Sequence, residues 1–461
     1  MTGLYTRVAA GLLFPLHERL KGHRSVALRR ELERTQWLSP AELDTLRAGR
    51  LKRFIADVYR HVPYYRRVMD ERGIRPEDIA GVADLQRLPL LDKPTIRASI
   101  DSLRADDAAP LSRFNTGGSS GQPLVFYIGK ARVSHDVAAK WRATRWWGVD
   151  IGDPEIVVWG SPIELGAQDR MRALRDRLLR TRLVPAFELS PANLDRFVEA
   201  ISRFRPRMLF GYPSSLALIA RHAEALGRRM SDLGVRVAFV TSERLYDDQR
   251  ADIERVFGCP VANGYGGRDA GFIAHACPRG SLHISAEDII VEIVDPDGHA
   301  LPAGQTGEIV VTHLATRDFP FIRYRTGDVG ALGGEPCPCG RGLPVLARLD
   351  GRTTDFIVAS DGTIMHGLAL IYVLRDIPAI DAFKIEQLSL HHIQVLVTAL
   401  RPLDEDLKAL IHNQFCDRLG EDVRIDIHHV DEIGRERSGK FRYVTSRVTT
   451  GPEAVSAHGD A

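Results

Sequence analysis

Met208-Leu209-Phe210-Gly211-Tyr212-Pro213 leads into a helical stretch, Leu216–Leu226, and then into Val235-Arg236-Val237-Ala238-Phe239-Val240. Two short apolar runs rich in strand formers, joined by a helix of this length, predict a parallel strand pair with the helix crossing over the sheet. Working outward, Ile156–Trp159 is another strand-like run and Leu194–Phe204 another helical one. From about Phe114 onward, the order therefore predicts α/β units around a largely parallel sheet.

On the C-terminal side, from Ser285 to Val329, strand-like runs crowd together with turns at Pro296-Asp297-Gly298 and Ala303-Gly304-Gln305, which predicts a β-rich subdomain. After Asp350-Gly351-Arg352 the chain starts again with short strands and two helices, ending near Val448, the size of a small α+β domain. On the N-terminal side the first hundred or so residues are mostly helical, with apolar residues at helical spacing from Leu43 through Val58. His61-Val62-Pro63-Tyr64-Tyr65 breaks that pattern before a new helix, and Leu88–Pro94 reads as a linker. The expected division is 1–352 (helical over about 1–105), 353–450 and a polar tail, 451–461.

The 461 residues carry a formal net charge of +2, with 44% hydrophobic and 26% charged residues, an ordinary soluble composition that points neither to nucleic acid nor to an acidic tail. No apolar run is long enough to span a bilayer. The apolar stretch Val8–Leu16 is flanked by Arg7, His17, Glu18 and Arg19 and is followed by no cleavage site. It reads as an amphipathic helix docked on the body; the alternative is a membrane-surface helix around Leu12, Leu13 and Phe14. Five cysteines without an export signal argue against a disulfide framework and for the reducing cytoplasm.

Five short motifs carry chemistry. Thr116-Gly117-Gly118-Ser119-Ser120-Gly121-Gln122-Pro123 offers backbone N–H groups and hydroxyls to a polyphosphate, without the Gly-Lys-Ser/Thr ending of a Walker loop. In Asn263-Gly264-Tyr265-Gly266-Gly267-Arg268-Asp269, a ring beside two glycines can stack on a base and a carboxylate can hold Mg²⁺. Tyr324-Arg325-Thr326-Gly327-Asp328 fixes an acid after a tight turn, suited to ribose hydroxyls. Arg348-Leu349-Asp350-Gly351-Arg352 marks the domain boundary. Arg437-Ser438-Gly439-Lys440-Phe441-Arg442 puts a lysine on a glycine turn, able to reach negative charge at phosphorus. Singly, each is equally a surface turn; their order and spacing are specific.

On these motifs, with Gln36-Trp37-Leu38-Ser39, Val62-Pro63-Tyr64-Tyr65 and Leu88-Pro89, the chain resembles the phenylacetate–CoA ligase family and its CapK-type relatives, within the adenylate-forming superfamily. The resemblance runs from about Gln36 to Arg447. It implies a large N-terminal adenylate-forming α/β domain, sheets flanked by helices plus a β-rich subdomain, with a small mobile α+β C-terminal domain. It implies that Thr116 to Gly121 hold the β- and γ-phosphates. Tyr265 stacks on adenine with Glu243 nearby and Gly266 and Gly267 beside it, and Asp269 binds Mg²⁺. Asp328 grips the ribose, Arg352 the ribose–phosphate region, and Lys440 assists adenylation. Three departures stand out: Gln122 where the superfamily often has lysine, Asp269 in place of a glutamate, and Thr354 at the usual hinge acid with Asp355 just after.

Cys277, His283, Cys337 and Cys339 form a Cys₃His set for a closed, structural Zn²⁺ site, against the plainer reading of reduced surface thiols; some members of the family carry such a zinc. Cys259 and Cys416 read as packing residues, and His391-His392 and His428-His429 as solvated or packed imidazoles. Trp159, Ser161, Tyr212 and Ser215 are placed at the acyl pocket by position, which suggests an aryl or arylacetic acid. The expected reaction is ATP-dependent formation of an acyl-adenylate, then transfer to CoA. The alternatives are an amide- or ester-forming ligase acting on an amine or a sugar hydroxyl, and a non-catalytic nucleotide-binding relative. No nucleic acid is expected as partner; a homodimer is.

Overall fold

The computed structural model of the chain describes residues 3–116, 124–159, 170–185, 191–352, 356–362, 364–399, 401–434 and 442–448. They fall into two compact units. One comprises Met1–Thr326, Gly330–Asp350 and Arg437–Gly439, the other Gly327–Val329, Gly351–Glu436 and Lys440–Ala461.

The first unit opens with helices, and their ends follow local chemistry. The helix Pro40–His61 starts at Ser39, whose N–H donates to Glu42 Oε2 (2.9 Å) while its Oγ accepts from the Glu42 N–H (3.4 Å), with Pro40 at the first helical position. Pro63 then closes that helix and begins the next, Pro63–Glu71. A hairpin follows, β1 (Ser112–Asn115) with β2 (Val125–Ile128), then the helix Lys130–Trp146.

The parallel part of the main sheet contains β3 (Glu155–Trp159), β4 (Thr181–Pro185), β5 (Met208–Gly211), β6 (Val237–Thr241) and β7 (Val261–Gly267). They lie in the order β4-β3-β5-β6-β7, every neighbour parallel. Crossover helices Arg170–Leu178, Pro191–Phe204, Pro213–Ala225 and Asp247–Phe257 connect them. The alternation expected from the sequence is present, although the third expected run, Val235–Val240, forms a strand only from Val237. β6 is buried along its whole length, as a strand covered on both faces must be.

At β7 the sheet changes character. β8 (Gly271–Ala276) is antiparallel to β7, and β9 (Leu282–Ile284), β10 (Ile289–Val294), β11 (Gly307–His313), β12 (Tyr324–Leu332) and β13 (Val345–Arg352) extend it. Among the described residues the whole sheet has eleven strands, in the order β10-β11-β12-β13-β9-β8-β7-β6-β5-β3-β4. The N-terminal helices pack on this antiparallel half, sharing one apolar core with it through Leu51, Ile55, Tyr65, Ile289, Ile309 and Tyr324.

Buried polar links tie the same layers. Arg142 (1% exposed) donates to Glu287 Oε1 at 2.6 Å and to Ser285 Oγ at 3.1 Å, and Thr35 Oγ1 donates to the same Glu287 oxygen at 2.9 Å. Arg323 reaches Glu292, the Leu88 carbonyl (3.0 Å) and the Gly298 carbonyl (2.8 Å). Losing one member of such a set strands a buried charge, the costly direction for a buried pair.

The second unit holds β14 (Phe356–Val358), β15 (Ile364–His366), β16 (Ala382–Ser389), β17 (His392–Thr398), β18 (Arg424–His429) and β19 (Val444–Ser446). Its sheet runs β18-β17-β16-β19, with helices Leu368–Arg375 and Glu405–Leu419. The buried Gln387 amide fastens β14 by accepting from the Val358 N–H (3.0 Å) and donating to the Val358 carbonyl (2.7 Å). The histidines expected to be solvated or packed here include two that are paired: His392 Nε2 with Asp426 (2.9 Å) and His391 Nδ1 with Asp422 (3.0 Å). Cys259 and Cys416 are buried, each in its own unit. Among the described residues no helix is long and apolar enough to cross a membrane.

Candidate functional site

In an open α/β sheet, ligands bind beyond the carboxyl ends of the parallel strands. The residues that carry chemistry here gather along that edge. Trp159 ends β3 and its ring stacks on Tyr212, the residue after β5 (centroids 4.5 Å, 23° apart). Ser215 is fully buried in the first turn of the helix Pro213–Ala225. After β6, Ser242 takes a left-handed φ of 71°, a strained conformation for a residue with a Cβ. That turn delivers the Glu243 carboxylate to the same helix N-terminus, where it accepts from the Ser214 N–H at 3.3 Å.

Tyr265 lies within β7 rather than on a turn, and is mostly buried, with its hydroxyl 3.5 Å from Thr326 Oγ1. The register of β7 against β8 shifts at Tyr265/Gly266. A Cβ on Gly266 would stand 2.1 Å from the Gly271 carbonyl oxygen, so the bulge admits only glycine. The turn beyond carries Asp269. Its Oδ2 accepts from the Tyr324 hydroxyl at 2.6 Å and its Oδ1 from the Ala270 N–H at 3.1 Å. Asp328 was expected after a tight turn; it lies instead inside the continuous strand β12, directly after Gly327, whose φ is 75°.

Thr116 anchors the base of the glycine-rich connection between β1 and β2, exchanging bonds with Leu124 through its N–H (to the carbonyl, 2.9 Å) and its Oγ1 (from the N–H, 2.9 Å). Gly117, Gly118, Ser119, Ser120, Gly121 and Gln122 lie outside the described residues, as do Ser161, Thr354, Asp355 and Lys440. The backbone of Arg352 ends β13, and its side chain is also outside them.

Sequence reading missed the support behind Asp269. Arg132, in the helix Lys130–Trp146, donates from its guanidinium to the carbonyls of Asp269 and Arg268 (3.3 Å each), while its Nε meets both Asp136 oxygens (3.0 and 2.9 Å). A four-residue Arg/Asp spacing reads as an ordinary helical pair; nothing in it signals a partner far along the chain. Tyr324 stood inside a quoted motif, unremarked beside Asp328.

Asp136 also faces two buried imidazoles, His135 and His313. The three resemble a cation site, but His313 Nδ1 accepts from the Ala315 N–H (3.2 Å), so its Nε2 carries the proton and offers Asp136 a donor, not a lone pair. The set is a buried electrostatic cluster: Asp136 lies 3.9 Å from a nitrogen of each ring, beyond hydrogen-bond distance. Burial, then Arg132, pushes the His313 ring down to about 3; burial, then Arg142, does the same to His275. Burial alone would raise the Asp136 carboxyl, yet Arg132 and the two rings hold it well below the carboxylate range.

These shifts fix a sign. The two histidines stay neutral when folded but bind protons in the unfolded chain below about pH 6.5, so their contribution is complete above that pH and is lost as pH falls toward 3. Asp136 adds to the loss only below its ordinary range. Stability should therefore fall from about pH 6 downward by up to about 3 kcal/mol per pH unit, twice the value for one group. Urea midpoints at pH 7 and pH 5 measure it; equal midpoints contradict it.

The four expected zinc residues converge. One ligand atom from each of Cys277, His283, Cys337 and Cys339 lies within 4.8 Å of all the others. Cys277 Sγ is 3.7 Å from Cys337 Sγ, and Cys339 Sγ 3.2 Å from His283 Nε2. His283 Nδ1 donates to the Leu343 carbonyl at 3.1 Å, which leaves the Nε2 lone pair facing the thiols, the tautomer a metal ligand needs. Here the donor chemistry fits a cation, whereas at His313 it does not. Around the cluster, the Arg341 guanidinium lies between Trp37 and Trp146 (4.9 and 4.4 Å to the centroids). The Gly342 N–H donates to the Gln36 carbonyl, and a Cβ there would stand 1.8 Å from the Leu38 carbonyl oxygen.

Comparison with known proteins bears on the whole chain. A family model described as AMP-binding enzyme matches residues 180–315, and the CapK C-terminal domain matches residues 357–447. Phenylacetate-coenzyme A ligase of Thermus thermophilus is 29% identical over 395 residues, 84% of this chain and 85% of that protein. Protein CapK of Staphylococcus aureus is 24% identical over 419 residues, 88% of this chain and 90% of that protein. Among solved structures, 2-hydroxyisobutyryl-CoA ligase with 2-HIB-AMP aligns with a TM-score of 0.71 at 22% identity, over 90% of this chain and 91% of that one. That likeness shows the adenylate-forming ligase fold.

Proposed function

We propose that this chain, a homologue of phenylacetate-coenzyme A ligases and of CapK over most of its length, joins a carboxylic acid to coenzyme A through an acyl-adenylate. A carboxylate oxygen attacks the α-phosphorus of ATP, the bond to the β-phosphate oxygen breaks, and pyrophosphate leaves. The thiolate of CoA then attacks the acyl carbonyl and AMP leaves. The observation that carries this reading is Asp269, set at the carboxyl edge of the sheet and fixed through Tyr324 and Arg132.

In this reading Asp269 holds Mg²⁺, which when bound neutralises phosphate charge. Tyr265, with Gly266, Gly267 and Glu243, holds the adenine. Thr116 and Gly117 to Gly121 cradle the β- and γ-phosphates, Asp328 and Arg352 take the ribose and its phosphate, and Lys440 faces the charge that develops at phosphorus. Cys277, His283, Cys337 and Cys339 hold a structural Zn²⁺ apart from the chemistry. The Trp159–Tyr212 stack, with Ser161 and Ser215, suits a flat, aryl-bearing acid. In this reading the enzyme works in the cytoplasm as a homodimer. A second reading, transfer to an amine or a sugar hydroxyl, rests on the CapK homologue.

The test is acid-dependent pyrophosphate release from MgATP over a panel of acids, with and without CoA. Lys440→Ala should lower release by about 10²- to 10³-fold. Acyl-CoA as product supports the first reading; release without acyl-CoA supports the second. No release with any acid, while ATP still binds, rejects both.

A further inference from the structure

We propose that the helical segment Leu4–Lys21 docks side-on to an anionic membrane surface. It runs as helix Leu4–Val8, a π-helical turn Ala9–Leu13 and helix Phe14–Lys21. Its inner face is set by Thr6, Ala9, Phe14 and Glu18, all buried. Thr6 Oγ1 donates to Asp153 (2.9 Å), Phe14 packs on Trp141, and Glu18 accepts from Ser25 Oγ. Two of these four inner residues are polar and anchored by hydrogen bonds.

The outer face is the apolar one. Leu4, Val8, Leu12, Leu16 and Leu20 recur every fourth residue and are 81%, 41%, 62%, 54% and 80% exposed. In an α-helix a step of four over-rotates by about 40°, which would wind such a stripe around the axis. The wider π turn in the middle under-rotates the same step and brings Leu12 back toward the line of Leu4 and Val8. The helix Arg170–Leu178 extends the patch: the Tyr5 hydroxyl donates to the Leu178 carbonyl (2.9 Å), and Leu178 and Leu174 are 41% and 55% exposed.

Charge selects the partner. Among residues 3–24 the exposed charges are Arg7, Arg19, Lys21 and Arg24, all positive, while the one acid, Glu18, faces inward. A leucine stripe flanked by cations matches an interface of acyl chains beneath anionic headgroups. A second copy meeting the same face would bring four cations against four, which opposes self-association.

The experiment is co-sedimentation of the full chain with phosphatidylcholine vesicles, with and without phosphatidylglycerol, for the wild type and for Leu12→Glu/Leu16→Glu. Both substituted positions are exposed, so thermal unfolding and pyrophosphate release serve as controls that should not move. The wild type should sediment with the phosphatidylglycerol vesicles, and the double substitution should weaken partitioning by about tenfold or more. Equal sedimentation of the two proteins, or none with either vesicle, overturns the proposal. So does a wild-type dimer that dissociates on substitution without any vesicle binding, which assigns the stripe to a second copy.

Discussion

Replacing Asp269 with alanine should lower acid-dependent pyrophosphate release by about 10²- to 10³-fold, equivalent to about 3–4 kcal/mol of transition-state stabilisation. The carboxylate is the one acid on the β7–β8 turn, and its position is set from two sides. Tyr324 donates to its side chain and Arg132 holds the backbone carbonyls beneath it. A purely structural role predicts a different pattern, in which Asp269→Asn, nearly the same shape, restores most of the activity. A metal-binding role predicts that Asn stays impaired and that added Mg²⁺ rescues it in part. Tyr324→Phe should then give a smaller loss, about tenfold, together with a raised Mg²⁺ requirement, because the ring still stacks on Phe321 and only the hydroxyl is gone. Unchanged Mg²⁺ dependence in both variants counts against the assignment.

The second large effect concerns the Cys₃His cluster. Stripping metal with a strong chelator, or making Cys337→Ser, should cost at least about 4 kcal/mol and lower the thermal midpoint by about 10 °C. In the metal-free chain burial pushes the Cys277 thiol up to about 11, so a cation that binds there must displace its proton. The readouts are zinc content of the purified protein, thermal midpoint, and tryptophan emission, since Trp146 meets His283 edge-on and Arg341 bridges to Trp37. Protein that holds no metal as purified, and whose midpoint does not respond to zinc, refutes the site.

The parallel strands were legible because each is a short apolar run bounded by a helix, and burial on both faces leaves that mark in composition. The convergence of Cys277, His283, Cys337 and Cys339 was legible for a related reason: cysteine and histidine in two short segments have few other uses together. What escaped were links between distant segments. Arg132 was one arginine among many in a helix, and its partners lie well over a hundred positions away. The apolar stretch Val8–Leu16 reads as a docked amphipathic helix, with a membrane-surface helix as the alternative, and it is docked, but a sequence shows that a helix has two faces and not which one meets the protein. Asp328 was expected after a tight turn, whereas pairing across the sheet carries β12 straight through Gly327.

The helices at the start of the chain are held by strands made near its end. Thr35 and Arg50 wait for Glu287 and Asp288, Tyr65 for Pro320 and Ile322, and Leu91 for Arg323 and Arg325. In the side-chain links just named the separations run from 238 to 257 residues. At translation speeds of about 5–20 residues per second, the first hundred residues spend on the order of 10–50 s outside the ribosome before their docking surface exists. Throughout that interval Leu43, Leu51 and Ile55 lack the strand residues that complete their core, Ile289 and Ile309 among them. Nascent chains of this protein should therefore engage a chaperone early and release it only once the antiparallel half of the sheet has emerged.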